Sequence, residues 1–405
     1  MNLILRLAWK NLWRNRRRTL INLAAMGSSC IALMVSIGLT QGLLDELQKN
    51  VTEVLCGDAQ VHAPGYLAER SLAETLDPRQ IAAVTRAAAG AGISTAARAI
   101  GFGLLAHEAR SAGVQLFGVD PASEVAFGGL ATKVAQGAFL SGKPKQAVLG
   151  AKVARALEAG QGDELVVVVQ AADGSTGSAL FRVAGVLEGV GEGIDRTLVL
   201  IDRGEFADLF ATAGVHELAL TSHQRLDADA VAALARAAAG GAEVKTWREL
   251  LPQVASLERI WGVATWLIAV IFSLAAGLGV LNAMLMAQYE RIPEFGLLKA
   301  LGTTPARIVG DVFIEALLLA LLSVAVGLGV GAVLVWYLHT TGLDIGGADK
   351  LSVSGVSFGT VWRARWSLAV FLQPLFVTLL TALVAAVWPA IKAARLDPVE
   401  ALSHV

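Results

Sequence analysis

Side chains that catalyse reactions are present in this sequence but do not cluster in it. The six histidines show no metal-ligand spacing, and His216 with His223 alone falls short of a zinc site. An acid pair such as Asp202 and Glu205 is typical of solvated charges, and no nucleophile elbow appears. We therefore predict no catalytic and no metal-binding residue, and we do not expect the chain to be an enzyme.

Phosphate and disulfide chemistry are not indicated either. The phosphate-binding pattern Gly-x-x-x-x-Gly-Lys-Ser/Thr does not occur, since Gly142-Lys143 is followed by Pro144. Cys30 and Cys56 form neither a disulfide framework nor a metal-ligand cluster. We expect the chain to bind no nucleotide or other cofactor itself.

The composition indicates a membrane protein. Apolar residues make up 55% of the 405 residues and charged residues only 17%, whereas about a quarter of a typical soluble domain is charged. The mean hydropathy is +0.59. A net charge of −1 gives no reason to expect a nucleic-acid partner.

A short polar stretch, residues 288–307, lies between two long apolar runs, and we call it the handle segment. Pro293 suits the first turn of a short helix, and Gly302 suits the left-handed residue just past its end. Thr304-Pro305 then predicts the N-cap and first residue of a second helix. A loop on the lipid surface is one interpretation, and a helix covered by a partner protein is the other. The apolar side to be covered carries Phe295, Leu298 and Leu301.

The N-terminal residues predict a basic helix followed by a membrane span. Residues 1–18 carry six basic side chains and no acid, and the four-residue spacing of Arg6, Lys10 and Arg14 suits anionic lipid headgroups. Residues 19–44 then run uncharged for about 26 residues, long enough to cross a bilayer. This run is too long for a cleaved signal peptide, and no cleavage site is evident.

Residues 45–257 predict a soluble α+β domain, because charges return and apolar runs shorten. Strand patterns at Glu164–Gln170 and Leu180–Leu187 are joined by a hairpin signal, and Thr197–Ile201 continues the sheet. We expect two lobes, one inserted in the other. The predicted helices are an Ala-rich segment near 81–91, another near 229–239, Arg203–Phe210, and the end of a strand-to-helix unit at Ala147–Gly160.

Three further apolar segments follow, and none has an acid at mid-membrane depth, which argues against a secondary transporter. Small residues at every fourth position predict close helix contacts, within the chain or between subunits. They are Ala275, Gly279 and Ala283 in the second span, and Ser323, Gly327 and Gly331 in the third.

The basic residues of the arm, the handle segment and the tail place all three on the cytoplasmic side. We therefore predict an α-helical membrane protein with four transmembrane helices plus an α+β extracytoplasmic domain inserted between helices 1 and 2. The tail sequence Asp397-Pro-Val-Glu400 predicts a capped short helix. In chain order the segments are 1–18, amphipathic cytoplasmic helix; 19–44, transmembrane helix 1; 45–257, extracytoplasmic domain; 258–287, transmembrane helix 2; 288–307, cytoplasmic coupling loop; 308–339, transmembrane helix 3; 340–366, outer loop; 367–391, transmembrane helix 4; and 392–405, cytoplasmic tail.

Four blocks of sequence resemble the permease subunits of the MacB/FtsX class (type VII) of ATP-binding-cassette systems, including the lipoprotein-releasing LolC/LolE type. The stretch Gly57-Asp-Ala-Gln-Val-His-Ala-Pro-Gly65 is more similar to the lipoprotein-releasing branch than to the drug-efflux branch. The blocks are Leu7-Ala-Trp-Lys-Asn-Leu-Trp-Arg-Asn-Arg16, Ala147-Val-Leu-Gly-Ala151 with Gly162-Asp163, Glu294-Phe-Gly-Leu-Leu-Lys-Ala-Leu-Gly302, and Ala394-Arg-Leu-Asp-Pro-Val-Glu-Ala-Leu402.

This resemblance implies mechanotransmission in the bacterial inner membrane, with the large domain in the periplasm. It implies two copies of a separate ATPase that binds ATP and Mg, a second permease copy or paralogue, membrane lipid, and a lipoprotein or other amphiphile as substrate, with or without a periplasmic chaperone or adaptor. The segment matching Glu294–Gly302 is the family's coupling helix, which docks on the ATPase. The predicted coupling residues are Arg291, Glu294, Phe295, Gly296, Leu297, Leu298, Lys299 and Gly302.

Other functions fit the sequence less well. A membrane sensor with an extracytoplasmic ligand-binding domain should carry a sizeable cytoplasmic signalling domain, and a membrane-anchored hydrolase should show a catalytic constellation. Within the family, efflux of drugs or peptides and regulation of a cell-wall hydrolase stay open, although such a regulator usually has a smaller outer domain.

Overall fold

The computed structural model describes residues 9–10, 12–188, 190–346, 352–353, 356–357 and 361–396. The predicted tail helix and the first eight residues of the basic arm lie outside these residues. The chain divides into two compact units. The helical unit comprises Met1–Leu43, Arg259–Asp344 and Val361–Val405, and the α+β unit comprises Leu44–Glu258 and Ile345–Thr360.

The described residues form thirteen α-helices, a π-helical segment (Asn50–Leu55) and a 3-10 helix (Leu130–Lys133). Four of them, α1, α10, α12 and α13 below, are long and apolar enough to cross a membrane by length and composition. The helices are α1 (Arg16–Lys49), α2 (Tyr66–Glu69), α3 (Pro78–Gly90), α4 (Pro121–Phe127), α5 (Ala151–Leu157), α6 (Glu192–Asp195), α7 (Arg203–Phe210), α8 (Ala228–Ala238), α9 (Trp247–Leu250), α10 (Pro252–Tyr289), α11 (Ile292–Ala300), α12 (Pro305–Thr340) and α13 (Leu368–Ala394).

Ten strands of the α+β unit form one sheet. They are β1 (Ala59–His62), β2 (Ser94–His107), β3 (Arg110–Val119), β4 (Val134–Gly137), β5 (Gln146–Gly150), β6 (Glu164–Gln170), β7 (Thr176–Leu187), β8 (Leu198–Asp202), β9 (Glu217–Thr221) and β10 (Glu243–Thr246). Four two-residue strands, β11 to β14, are Leu343–Asp344, Ser352–Val353, Val356–Ser357 and Val361–Trp362.

The sheet has two parts that meet on the long strand β2. The order β10-β1-β9-β2 forms the first lobe, whose core includes Leu220, Val84 of α3 and Val231 of α8. The other part of β2 pairs with β3 and with β6, and the pairing continues through β8, β5 and β7 back to β6, which closes a six-stranded ring around Leu105 and Phe181. The chain enters this second lobe through β2 and returns to the first at β9. The second lobe is therefore inserted in the first, as the sequence indicates.

Acidic N-cap residues mark the starts of α3 and α7, two helices that line one groove of the α+β unit. The side chain of Asp77 accepts a hydrogen bond from the Arg79 amide at the start of α3, and Pro78 occupies the first helical turn. Asp202 caps α7 in the same way through the amide of Gly204. Both helices thus begin where an acid satisfies otherwise unpaired backbone donors.

The long helices extend past the predicted boundaries. Helix α1 begins at Arg16 and continues to Lys49, where a π-helical segment, Asn50–Leu55, follows; α10 begins at Pro252. In the α+β unit these extensions bury Leu47 and Val51 in one cluster with Val254 and Trp247. The predicted span boundaries follow the return of charge, whereas a helix continues beyond an apolar run when its apolar face is packed, so these helices are longer than the spans predicted from the sequence.

Candidate functional site

The handle segment folds as helix, sharp turn and helix. Helix α11 has Pro293 in its first turn and ends in a hydrogen-bonded C-terminal motif. The amide of Gly302 donates to the carbonyl of Lys299 at 2.9 Å, and the amide of Thr303 donates to that of Leu298 at 2.9 Å. Gly302 has a φ of +91°, a backbone conformation that side-chain-bearing residues adopt rarely.

The next helix starts three residues later. Thr304 has the extended backbone of an N-cap, and its carbonyl accepts from the amide of Arg307 at 3.0 Å, but its side chain makes no capping hydrogen bond. Pro305 is the first residue of α12. The turn therefore depends on proline and glycine conformations more than on a threonine cap.

Phe295 lies inside the helical unit, which corrects the prediction that this residue belongs to an uncovered apolar face. Its side chain is 1% exposed and packs in a cluster with Leu12, Ile308 and Ala390. The guanidinium of Arg291 lies 4.9 Å from the centre of its ring. The other residues of this core are Leu12 and residues of α1, α10, α12 and α13, so α11 buries its Phe295 side within its own chain.

Ion pairs hold the N-terminal end of α11. Glu294 Oε1 lies 2.7 Å from Arg14, and its Oε2 lies 3.1 Å from Arg291, which also reaches Glu315 at 3.0 Å. Arg18 pairs with Glu290 at 3.2 Å. Partial burial opposes ionisation of Glu294, but the hydrogen bonds from Arg14 and Arg291 prevail and lower its pKa. Glu294 is therefore a charged anchor of the handle segment.

Lys299 anchors the other end of the helix. Its ammonium donates hydrogen bonds at 2.6 Å to the carbonyls of Ala394, the last residue of α13, and Leu396, two residues beyond it. Those carbonyls have no partners in the helix and carry partial negative charge, which a lysine complements. Lys299 thus serves the fold and is not free for another protein.

Three leucines of the handle segment stay exposed. Leu297 is 54% exposed, Leu298 is 38% exposed and Leu301 is 76% exposed. Pro293 and Pro305 are also exposed. We call this set, Leu297, Leu298 and Leu301, the leucine surface. An uncovered group of large apolar side chains beside charged residues is typical of an interaction surface.

The predicted coupling residues therefore differ in their roles. Leu297 and Leu298 are available to a partner, whereas Phe295 and Gly296 are buried. Gly302 shapes the turn, and Arg291, Glu294 and Lys299 make the internal contacts described above. Sequence reasoning did not find Arg14 as the partner of Glu294 or Glu315 as the partner of Arg291, although the one-face spacing of basic residues in the arm was a signal for Arg14. It also missed the neighbouring pair of Arg18 and Glu290.

The two sets of small residues have different surroundings. A Cβ atom on Gly327 would lie 2.8 Å from Cβ of Cys30, and one on Gly331 would lie 2.7 Å from Sδ of Met34. Ser323, one turn earlier, is also buried and touches Met26, so this set packs closely against α1. Around Gly279 nothing lies within 4 Å of such a Cβ atom. Of the flanking residues, Ala275 is exposed and Ala283 is half-buried.

The block Gly57–Gly65, which suggested the lipoprotein-releasing branch, has structural contacts. Asp58 is buried and accepts hydrogen bonds from the amide and hydroxyl of Ser222 at 2.6 and 2.8 Å. A Cβ on Gly57 would lie 2.4 Å from the carbonyl oxygen of Leu220. These residues pack the first lobe, so their pattern is explained without a cargo.

Four apolar helices, an α+β domain and a helix with an exposed leucine surface between two of those helices define a membrane permease subunit. Two family models match the sequence: the MacB-like periplasmic core domain over residues 19–244 and the FtsX-like permease C-terminal region over residues 266–398. The chain belongs to the MacB/FtsX class of ABC transporter permeases. The class-level resemblance read from the sequence blocks is thereby confirmed.

Curated relatives match part of the chain. An uncharacterized ABC transporter permease, YknZ of Bacillus subtilis, is 31% identical over 40% of this chain and 36% of its own length. A pyoverdine export ATP-binding/permease protein, PvdT of Pseudomonas fluorescens, is 37% identical over 34% of this chain, and a macrolide export ATP-binding/permease protein, MacB of Burkholderia cenocepacia, is 31% identical over 34%. The match spans 18% of each exporter's length.

A solved structure, the extracellular domain of the noncanonic ABC-type transporter YknZ from Gram-positive bacteria, aligns with 46% of this chain and 97% of its own. The TM-score is 0.33 and the sequence identity is 14%.

Proposed function

We propose that this chain is the permease subunit of an ATP-driven system that releases lipoproteins or another amphiphile from the outer leaflet of the inner membrane. ATP and Mg are bound by a separate ATPase, of which two copies serve a pair of permease chains. The chain transmits movement and does no chemistry. Its α+β domain, inserted between the first two transmembrane helices (α1 and α10), lies in the periplasm.

The leucine surface is the observation that carries this proposal. Helix α11 is fixed on one side by Phe295 and at its ends by Glu294 and Lys299, yet presents Leu297, Leu298 and Leu301 outward. A helix held this firmly transmits force to the long helices that share its core. An apolar groove on a cytoplasmic ATPase is the partner that fits such a surface.

Leu297→Asp tests the coupling role. A charge at a site that must enter an apolar groove costs binding energy, so we expect the ATPase to be lost from pull-downs of the tagged protein out of gently solubilised native membranes. Because Leu297 is 54% exposed, insertion and thermal stability should stay unchanged. Val125, also 54% exposed but in the α+β unit, supplies the matched control Val125→Asp, which should retain the ATPase. Retention of the ATPase by Leu297→Asp would remove the leucine surface from the proposal.

The retained molecules identify the cargo. Acylated proteins in the wild-type pull-down, detected by mass spectrometry, support lipoprotein release. An adaptor or outer-membrane channel in their place would support efflux, the second candidate function, which the names of the MacB and PvdT relatives favour. Absence of any ATPase under gentle extraction would reopen the membrane-sensor interpretation.

A further inference from the structure

An open groove of about 1050 Å³ lies between the two lobes of the α+β unit. One wall is a single face of α3, on which Ile81, Ala82, Thr85 and Arg86 recur at helical spacing. The other wall is the start of α7. Known ligand pockets are of a similar volume, so the space is sufficient for a ligand.

The floor of the groove is apolar and closely packed. Leu76 and Val215 are almost fully buried, and the amide of Leu76 donates to the carbonyl of Val215 at 2.8 Å, which joins the two floor segments. A Cβ on Gly214 would lie 2.0 Å from Cγ2 of Thr75, so glycine is required for this packing. The depth of the groove follows from the small side chains of its walls, Ala82, Ala89, Ala207 and Ala213.

Two arginines give the apolar groove its charge. Arg86 of α3 and Arg203 of α7 both line it and are exposed, and neither makes a hydrogen bond or ion pair within the described part of the chain. No acidic side chain lines the groove among the described residues. Asp77 and Asp202, the acids at the starts of the two wall helices, are engaged as helix caps. An anionic group in the groove would meet two cations and no acid among the described lining residues.

We propose that this groove binds a single-chain amphiphile with an anionic head group. Its acyl chain lies along α3, which is about 20 Å long, against Leu76, Ile81 and Val215, and its head group pairs with Arg86 and Arg203. An acyl chain is favoured over an extended peptide, because the walls are helices whose backbone groups are already bonded and only Thr75 and Thr85 offer further neutral polar side chains. Binding of the amphiphile in this groove does not require ATP-driven transport by the chain.

Photolabelling of the full chain in lipid nanodiscs tests this site. The probe is palmitate that carries a diazirine in its chain, and mass spectrometry locates the labelled peptides. We expect labels in residues 78–90 and 203–215, displaced by palmitate but not by hexadecanol, which has the same chain and no charge. The double variant Arg86→Glu, Arg203→Glu should lower this labelling at least about tenfold, because each lost charge-assisted hydrogen bond costs a sizeable fraction of the binding energy.

Arg79→Glu is the matched control, since Arg79 lies on α3, is exposed and does not line the groove. It should label as the wild type does. Ala82→Trp fills the groove without changing charge and should also reduce labelling, with thermal unfolding showing that both lobes stay folded. The proposal is wrong if the double variant labels normally, if hexadecanol competes as well as palmitate, or if labels appear only in the helical unit. Displacement of the probe by an acidic helical peptide but not by palmitate would assign the groove to a protein partner instead.

Discussion

The guanidinium of Arg14 lies 2.7 Å from Oε1 of Glu294, a residue 280 positions further along the chain. This contact ties the segment before α1 to the first turn of α11. Glu294 shares Arg291 with Glu315 of α12, so the N-terminal end of the handle segment is held by charges from three parts of the chain. The leucine surface is thereby presented on a fixed helix.

The Arg14–Glu294 pair should contribute little to stability despite its short distance. Both side chains are about half exposed, so water and salt screen their attraction. A double-mutant cycle with Arg14→Gln and Glu294→Gln, measured by thermal unfolding in detergent, should give a coupling free energy of about 0.2–1 kcal/mol that falls as salt is added. A coupling free energy above about 2 kcal/mol that resists salt would contradict this, because it would require a desolvated pair.

The handle segment shows which features of the fold a sequence can predict. Pro293, Gly302 and Thr304-Pro305 mark helix ends through their own backbone preferences, and the structure has helix ends at these places. The predicted helix Arg203–Phe210 has the same bounds in the structure, where the N-cap acid Asp202 is a local signal of its start. Element types and ends that depend on nearby residues are therefore predictable.

The burial of Phe295 was not predictable in this way. Its neighbours Leu12, Ile308 and Ala390 are distant in the chain, and nothing in the spacing of α11 distinguishes Phe295 from Leu298. The same limit applies to the small residues, where identical four-residue spacing gives a close contact at Gly327 and open space at Gly279. Only the three-dimensional packing decides which apolar side chains remain for a partner.

Gly327→Ala should destabilise the helical unit. The new methyl group would lie 2.8 Å from Cβ of Cys30, so α1 and α12 must move apart, and overpacking of this kind costs about 1–3 kcal/mol. Gly279→Ala is the control, since its methyl group meets nothing within 4 Å and alanine favours a helix. Thermal unfolding in one detergent should separate the two variants. Equal losses would mean that Gly279 also has a close neighbour, as in a contact between subunits.

Arg98→Met should be among the most damaging substitutions in the α+β unit. Arg98 is 1% exposed and donates to Glu124 at 2.6 Å and to Glu217 at 2.9 Å. Its loss leaves two buried carboxylates without their cation, which costs about 3–5 kcal/mol. The free energy of unfolding in urea measures this loss. Adding Glu124→Gln and Glu217→Gln should recover part of it, and no recovery would show that packing against Phe127, not charge, is what Arg98 supplies.

His216 should make the α+β unit less stable in mild acid. Its Nδ1 accepts from the Ile100 amide at 2.9 Å and its Nε2 donates to the Leu72 carbonyl at 3.1 Å, so the buried ring is neutral. Burial lowers the pKa of His216 below the ordinary value of 6.5, the Leu72 carbonyl partly opposes this, and His62 adds to it. Just below pH 6.5, His216 therefore binds a proton more readily in the unfolded chain than in the folded chain.

The stability of the α+β unit should therefore fall with pH only below the ordinary pKa of histidine. The contribution of His216 is fully present above pH 6.5 and is lost as the pH falls below it, by at most about 1.4 kcal/mol per pH unit. Urea unfolding of the wild type and of His216→Gln, whose amide can make the same two hydrogen bonds, should differ in this slope between pH 6.5 and 5. Val215→Ala, a neighbouring core truncation, should lower stability at every pH and keep the wild-type slope. Identical slopes in wild type and His216→Gln would contradict this prediction. They would mean that the folded protein accommodates a protonated His216, whose second N–H would then need an acceptor.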